Sequence, residues 1–210
     1  DARRVHAICE EMLRRKLTMS WNISTHVGTV NPELLHIMRK AGCWQIAYGI
    51  ETGDPEVIRD ILKGTDLDTV RERIQWTVDA GIEAKGLFMI GHPTDTPESI
   101  HRTIEFARSL PIASANFKIT TPFVGTPLRE MADRYGEIDT EDYRNYMGDP
   151  EQAVFVTNGL SREYLAGVQR RAYARFYSRP SRLVRLGRSM AGQGNLGKWA
   201  EGAAVMARLV

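Results

Sequence analysis

Three times in the first half of the chain a capping residue, a proline and a glutamate stand together: Asn31-Pro32-Glu33, Asp54-Pro55-Glu56 and Thr96-Pro97-Glu98. Each triplet follows a short apolar or β-branched run and a glycine-containing turn. A side-chain oxygen at the cap accepts an orphan backbone N–H, proline at the first helical position forfeits no hydrogen bond, and the acid favours the positive end of the helix. The triplet is therefore a helix start, and its recurrence after a strand predicts strand–helix alternation. Such alternation implies parallel strands joined by right-handed crossovers, with helices covering their outer face. Ligands in such folds meet the carboxyl ends of the strands, so the turns there are where function is sought.

Apolar spacing predicts a first helix over 2–16 through Val5, Ile8, Met12 and Leu13, and strands over 21–27, 45–50, 82–90 and 114–120. Helices are expected from Asn31 (Leu34, Leu35, Met38, closed by Gly42), from Asp54 (Val57, Ile58, Ile61, Leu62, closed by Gly64) and over 66–80. Two more are expected from Thr96 (Ile100, Ile104, Ala107) and from Gly125-Thr126-Pro127 to about Tyr135. After Gly136 the pattern changes. Residues 139–150 are acidic and irregular, 160–186 form a long basic amphipathic stretch broken only at Gly167 and Pro180, and 195–210 read as a last helix. The chain thus divides into strand–helix units over 1–135 and a helical extension over 136–210.

With 210 residues, 42% hydrophobic and 26% charged, such a chain buries ~70% of its unfolded surface and needs no covalent staples. The net charge, 28 − 26 = +2, gives no electrostatic reason to expect nucleic acid or an acidic surface as partner. The basic run from Arg170 through Arg188 reads as a solvated helix face. No stretch reaches the roughly 18 apolar residues of a membrane span. Two cysteines, Cys9 and Cys43, exclude a disulfide framework and fit a reducing, cytoplasmic setting. The chain opens at Asp1, without Met or signal peptide and inside a helical pattern, so we expect a portion of a longer protein.

Among the turns, Glu51 stands out: it follows an apolar strand and lies between Gly49 and Gly53. A carboxylate at a strand end with close backbone approach suits an amine or the hydroxyls of a ribose; equally, it suits the dipole of the helix beginning at Asp54. His26 and His92 also follow strands, where a histidine either satisfies local hydrogen bonds or binds metal. Thr121-Pro122-Phe123 offers backbone groups and an aromatic face, or simply a stiff turn. No His-Glu-x-x-His, Cys-x-x-Cys, phosphate loop or Gly-x-Ser-x-Gly elbow occurs.

Taken in order, Gly49-Ile50-Glu51-Thr52-Gly53, Lys63-Gly64-Thr65, Ala80-Gly81-Ile82, Phe88-Met89-Ile90-Gly91-His92-Pro93 and Thr121-Pro122-Phe123-Val124-Gly125-Thr126-Pro127-Leu128 resemble the radical S-adenosylmethionine enzymes, in particular the branch with an N-terminal cobalamin-binding domain. Residues 172–180 resemble the tail of that branch, and the likeness runs through nearly the whole chain. It implies an α/β fold: the C-terminal four β/α units of a partial (β/α)6 TIM-like barrel, parallel throughout, with a C-terminal helical extension.

The resemblance also implies S-adenosylmethionine as cofactor, a [4Fe–4S] cluster whose Cys-x-x-x-Cys-x-x-Cys ligands lie outside this chain, and a cobalamin domain likewise outside it. It matches Glu51 to the acid that contacts S-adenosylmethionine, with Gly49 and Thr52 beside it in the same motif. Ile90 and Gly91 match the strand end near the adenine, and Thr121 and Pro122 the last-strand turn that borders it. No metal ligand and no catalytic residue is carried over. Two positions depart from the family pattern: its usual Gly-Glu-Thr is here Thr94-Asp95-Thr96, and its usual arginine after the first strand is His26. The implied activity is generation of a 5′-deoxyadenosyl radical, transfer of a methyl group, or both, on a small-molecule or lipid-like substrate, with the N-terminal half of the same protein as partner. The rival expectation is a non-catalytic half-barrel scaffold or partner-binding module. A half barrel for a phosphorylated metabolite is disfavoured by the missing phosphate loop.

Overall fold

The computed structural model describes residues 1–138, 146, 153–179 and 182. The irregular stretch expected over 139–150 lies, Tyr146 apart, outside the described residues, as do the basic run beyond Arg182 and the final helix expected over 195–210.

Along the chain run α1 (Ala2–Arg14), β1 (Trp21–His26), a 3-10 turn (Val27–Thr29), α2 (Pro32–Lys40), β2 (Cys43–Glu51), α3 (Val57–Asp60), α4 (Leu67–Asp79), β3 (Glu83–Ile90), α5 (Pro97–Ser109), β4 (Ser114–Ile119), α6 (Pro127–Tyr135), β5 (Gly136–Ile138), β6 (Phe155–Thr157) and α7 (Arg162–Tyr177). β1 to β4 form one parallel sheet in sequential order. The capping signals act as expected. Asn31 Oδ1 accepts the Leu34 N–H at 2.8 Å, and Thr96 and Ser99 close a reciprocal capping box.

Alternation along the strands sends Ile46, Tyr48 and Ile50 of β2, Phe88 and Ile90 of β3, and Phe117 and Ile119 of β4 into the core beneath the helices. Phe88 stacks on Phe117 with centroids 5.3 Å apart, and Phe176 of α7 meets Phe117 edge-on at 6.1 Å. Full burial of each such side chain contributes roughly 1.5–3 kcal/mol. The opposite face is mixed, carrying Gln45, Glu83, Lys85, Asn116 and Lys118 together with Leu87 and Met89.

α7 protects the outer edge of β4. The Tyr177 hydroxyl bonds the N–H and C=O of Ala115, the Tyr173 hydroxyl bonds those of Phe117, and Gln169 Nε2 donates to the Phe117 carbonyl at 2.6 Å. An edge strand otherwise presents unpaired backbone groups to any passing strand. Among the described residues, the outer edge of β1 has no strand partner.

Two expectations require correction. The helix expected from Asp54 to Gly64 is only the single turn of α3. Leu62 leaves it with φ 51 and is 89% exposed rather than part of an apolar face; the chain turns there to bring Lys63 back to the sheet. The region after Tyr135 is not wholly helical, because β5 and β6 pair antiparallel, Gly136 opposite Thr157. Three-residue strands carry too little alternation to be read locally, and their pairing is long-range.

Candidate functional site

Parallel strands in sequential order bring their carboxyl ends to one rim, and His26, Glu51, His92 and Thr121 all stand there, at or just after the ends of β1, β2, β3 and β4. Glu51 has φ 70, and the Thr52 N–H donates to the Ile50 carbonyl at 3.0 Å across it. This is a γ-turn with a non-glycine residue at positive φ, a strained conformation. The register with β3 slips at the same point, between Gly49 and Glu51.

The Glu51 carboxylate accepts from Lys63 Nζ at 2.7 Å, each side chain about one-fifth exposed. Lys63 is itself anchored by His26. The Gly28 N–H donates to His26 Nδ1 at 3.0 Å, so the ring proton resides on Nε2, which donates to the Lys63 carbonyl at 2.9 Å. Gly49 keeps the approach open: a Cβ there would lie 2.8 Å from Glu51 Oε1 and 3.2 Å from Lys63 Nζ.

The turn after β3 is held by Asp95, whose Oδ2 accepts the N–H groups of Gly91 and His92, each at 2.9 Å, while Ser99 Oγ donates to Oδ1 at 2.5 Å. The His92 ring is buried and its Nε2 has no hydrogen-bond partner. Burial lowers its pKa, against the raising influence of Asp95, Glu51 and the Glu51 backbone carbonyl, so the ring is neutral near pH 7. Thr120 Oγ1, at the end of β4, is also buried without a partner.

Not every residue singled out in the sequence meets the rim through its side chain. Thr52 is fully buried, its hydroxyl 2.9 Å from that of Thr103, which also accepts the Gly53 N–H. Ile90 is buried and its carbonyl accepts from the Thr120 N–H at 2.9 Å. The Thr121 hydroxyl donates to the Ile119 carbonyl at 3.3 Å, and Pro122 beside it is buried. Phe123 is 52% exposed, its ring 5.7 Å from that of Tyr146. Sequence reasoning missed Lys63 as a site residue, although its Lys-Gly pair after an apolar helix stood within a recognised motif. It also missed Asp95, which replaces the usual glutamate and serves the turn.

The cysteines are not suited to an iron–sulfur cluster. Cys9 and Cys43 are fully buried, and desolvation raises the pKa of both thiols, that of Cys43 to about 11. Cluster ligands must be closely grouped thiolates, and among the described residues no three His, Cys, Asp or Glu side chains could share a metal ion. No described helix is long and apolar enough to cross a membrane.

Comparison with known proteins gives the arrangement a context. The profile of the Radical SAM superfamily matches residues 2–107. A protein of Pyrococcus horikoshii named as an uncharacterized methyltransferase is 34% identical over 170 residues, 80% of this chain and 36% of its own length. The anaerobic magnesium-protoporphyrin IX monomethyl ester cyclase of Cereibacter sphaeroides is 32% identical over 174 residues, 80% of this chain and 28% of its own length. The chain thus spans about a third of the length of the curated relatives it matches. Among solved structures, the radical S-adenosylmethionine methyltransferase TsrM of Kitasatospora setae superposes with a TM-score of 0.57 at 18% identity, over 65% of this chain and 30% of that one. That likeness extends to the parallel half-barrel fold.

Proposed function

Because this chain belongs to the radical S-adenosylmethionine superfamily, we propose that it forms one wall of the S-adenosylmethionine site of a methyltransferase-type enzyme, with Glu51 receiving the cationic end of that ligand. The observation that carries this reading is the Glu51 carboxylate itself: it is held on a strained turn at the strand-end rim, already engaged with a cation, and approached over Gly49, where a side chain would intrude. These residues fit a ligand bearing an amine and a sulfonium. When bound, S-adenosylmethionine supplies radical or methyl-transfer chemistry; the part of this chain is to bind and orient it. Glu51 offers charge-assisted hydrogen bonds. Lys63 holds the carboxylate in place, and Gly49 leaves room beside it.

On the same reading, the cluster is held by residues outside this chain, since Cys9 and Cys43 are buried, far apart in sequence and have raised thiol pKa values that leave them unsuited to it. Cobalamin, if the methyl transfer resembles that of TsrM, whose structure has cobalamin and a [4Fe–4S] cluster bound, is also bound elsewhere. The substrate is a small or lipid-like molecule, the missing half of the barrel is the partner of this one, and the setting is cytoplasmic.

Titration of S-adenosylmethionine into the intact protein and its Glu51→Gln variant tests the reading. Hydrogen bonds to charged groups contribute ~1.5–3 kcal/mol, so affinity is expected to fall roughly 10- to 100-fold at 1.4 kcal/mol per decade, with the melting temperature nearly unchanged. Unchanged affinity with a stability loss of ~0.3–1 kcal/mol would instead make Glu51 a helix-entry acid and leave the half barrel as scaffold.

A further inference from the structure

We propose that Lys85 binds the carboxylate of an amphipathic substrate laid along the sheet face beneath Glu51; this names the substrate class of the site and rests on the reading of Glu51 given above. Along β3, Ala84, Phe88 and Ile90 belong to the core beneath the helices. Alternation leaves Glu83, Lys85, Leu87 and Met89, all only partly buried, on the opposite face. The register carries that face sideways: Lys85 lies opposite Ala47 of β2 and Ser114 of β4, and Leu87 lies opposite Gly49 and Asn116. A Cβ on Gly49 would point at the Glu51–Lys63 pair, 2.8 Å from Oε1 and 3.2 Å from Nζ. The pair therefore overhangs the face that carries Lys85. Glu51 pairs with Phe88, so Lys85 stands three residues below it along the sheet, about 10 Å away.

The charges on this face are unequally matched. Lys63 is committed to Glu51, Glu83 accepts from Gln45 Nε2 at 3.4 Å, and Lys118, opposite Met89, has a partner of its own. None of the ion pairs among the described residues includes Lys85. A partly buried ammonium has lost some of its water, and an anion that accepts its hydrogen bonds restores what burial removed. One ammonium matches one negative charge, which suits a carboxylate; phosphate sites gather several donors, as at a helix N-terminus. Above Lys85, toward the rim, Leu87 and Met89 offer apolar contact, and Gly49 adds no side chain beside Leu87. A small-molecule site has this make-up, apolar lining with a few placed polar groups. A substrate anchored by its carboxylate at Lys85 lays its apolar body over Leu87 and Met89, and its far end reaches the ligand of Glu51.

The test titrates three probes into the intact protein by calorimetry under anaerobic conditions: octanoate, octan-1-ol, which keeps the tail and lacks the charge, and acetate, which keeps the charge and lacks the tail. Wild type is expected to bind octanoate about tenfold or more tighter than acetate, because the tail buries apolar surface. Lys85→Met keeps the stem and removes the charge; it is expected to weaken octanoate roughly 10- to 100-fold, the range that a hydrogen bond to a charged group supports, and octan-1-ol far less. S-adenosylmethionine, bound about 10 Å away, should stay within about twofold. Lys85→Arg, which keeps the charge, is expected to recover most of the loss. If Lys85→Met melts below the assay temperature, Lys85→Gln, equally uncharged, carries the same comparison. No octanoate binding, equal binding of octanoate and octan-1-ol by wild type, or equal loss of both in Lys85→Met would overturn the proposal. Glu51→Gln, titrated with S-adenosylmethionine beside these, separates the two claims. If it weakens S-adenosylmethionine while Lys85→Met leaves octanoate unweakened, only the role of Lys85 fails; if it leaves S-adenosylmethionine unweakened, the reading of Glu51 fails, and with it the claim that what Lys85 holds is the substrate.

Discussion

Lys63 Nζ lies 2.7 Å from Glu51 Oε1, while the Lys63 backbone carbonyl is held by His26 Nε2 at 2.9 Å, so a single residue ties the ends of β1 and β2 together. Lys63→Met keeps the length of the stem and removes the charge. The pair is partly shielded, about one-fifth exposed on each side, and the expected loss is at the upper end for such pairs, about 1 kcal/mol. Thermal unfolding at low and high salt checks it: the difference between wild type and variant narrows as salt rises.

Gly49→Ala separates ligand geometry from folding. Its Cβ would fall 2.8 Å from Glu51 Oε1 and 3.2 Å from Lys63 Nζ, the mobile ends of two side chains that can give way. Stability should change by less than about 1 kcal/mol, as when a small group is added where neighbours can yield. The carboxylate, however, is pushed off its position, and S-adenosylmethionine binding should weaken roughly tenfold, equivalent to 1.4 kcal/mol. Melting curves and ligand titrations on the same preparation give both readouts.

Asp54 makes stability depend on acid. Burial alone would raise its pKa, but the Val57 N–H, the Arg102 guanidinium and the Glu56 N–H together bring it below the ordinary carboxylate range. A carboxylate with a depressed folded pKa stabilises the fold above its unfolded pKa of about 3.9, and that contribution disappears as pH falls through the folded value. The melting temperature of wild type should therefore drop more steeply than that of Asp54→Asn below about pH 4, the ordinary aspartate value. At pH 7 the variant should be less stable by about 1–3 kcal/mol, since a charged acceptor for the start of α3 is lost.

Tyr177→Phe tests the seal on β4. Its hydroxyl bonds both the N–H and the C=O of Ala115, each at 3.3 Å and buried. Phenylalanine keeps the ring contact with Phe176 at 4.8 Å and strands those two backbone groups. The expected cost is about 1–3 kcal/mol, the desolvation penalty of a buried unsatisfied group. Chemical denaturation measures it, and S-adenosylmethionine affinity should be untouched because the contact lies away from the rim.

Much of this molecule is determined by neighbours along the chain. Asn31 and Thr96 cap their helices through N–H groups three residues on, and the strand–turn–helix grammar around Glu51 and Gly91 follows from side chains and turns a few positions apart. Those local signals, repeated in order, sufficed for a parallel sheet with His26, Glu51, His92 and Thr121 on one rim. Tertiary structure alone decided what each of them does there. Lys63 meets Glu51 across 12 positions, Arg102 meets Asp54 across 48, and Thr103 receives the Gly53 N–H across 50. No periodicity encodes such distances; they exist because the sheet brings successive strand ends together. For the same reason Leu62, apolar and helically spaced, is turned out to solvent, and His92, polar and in a turn, is enclosed. Burial is decided by which elements come to cover a residue, a property of the folded sheet and its helices that no short stretch of chain carries.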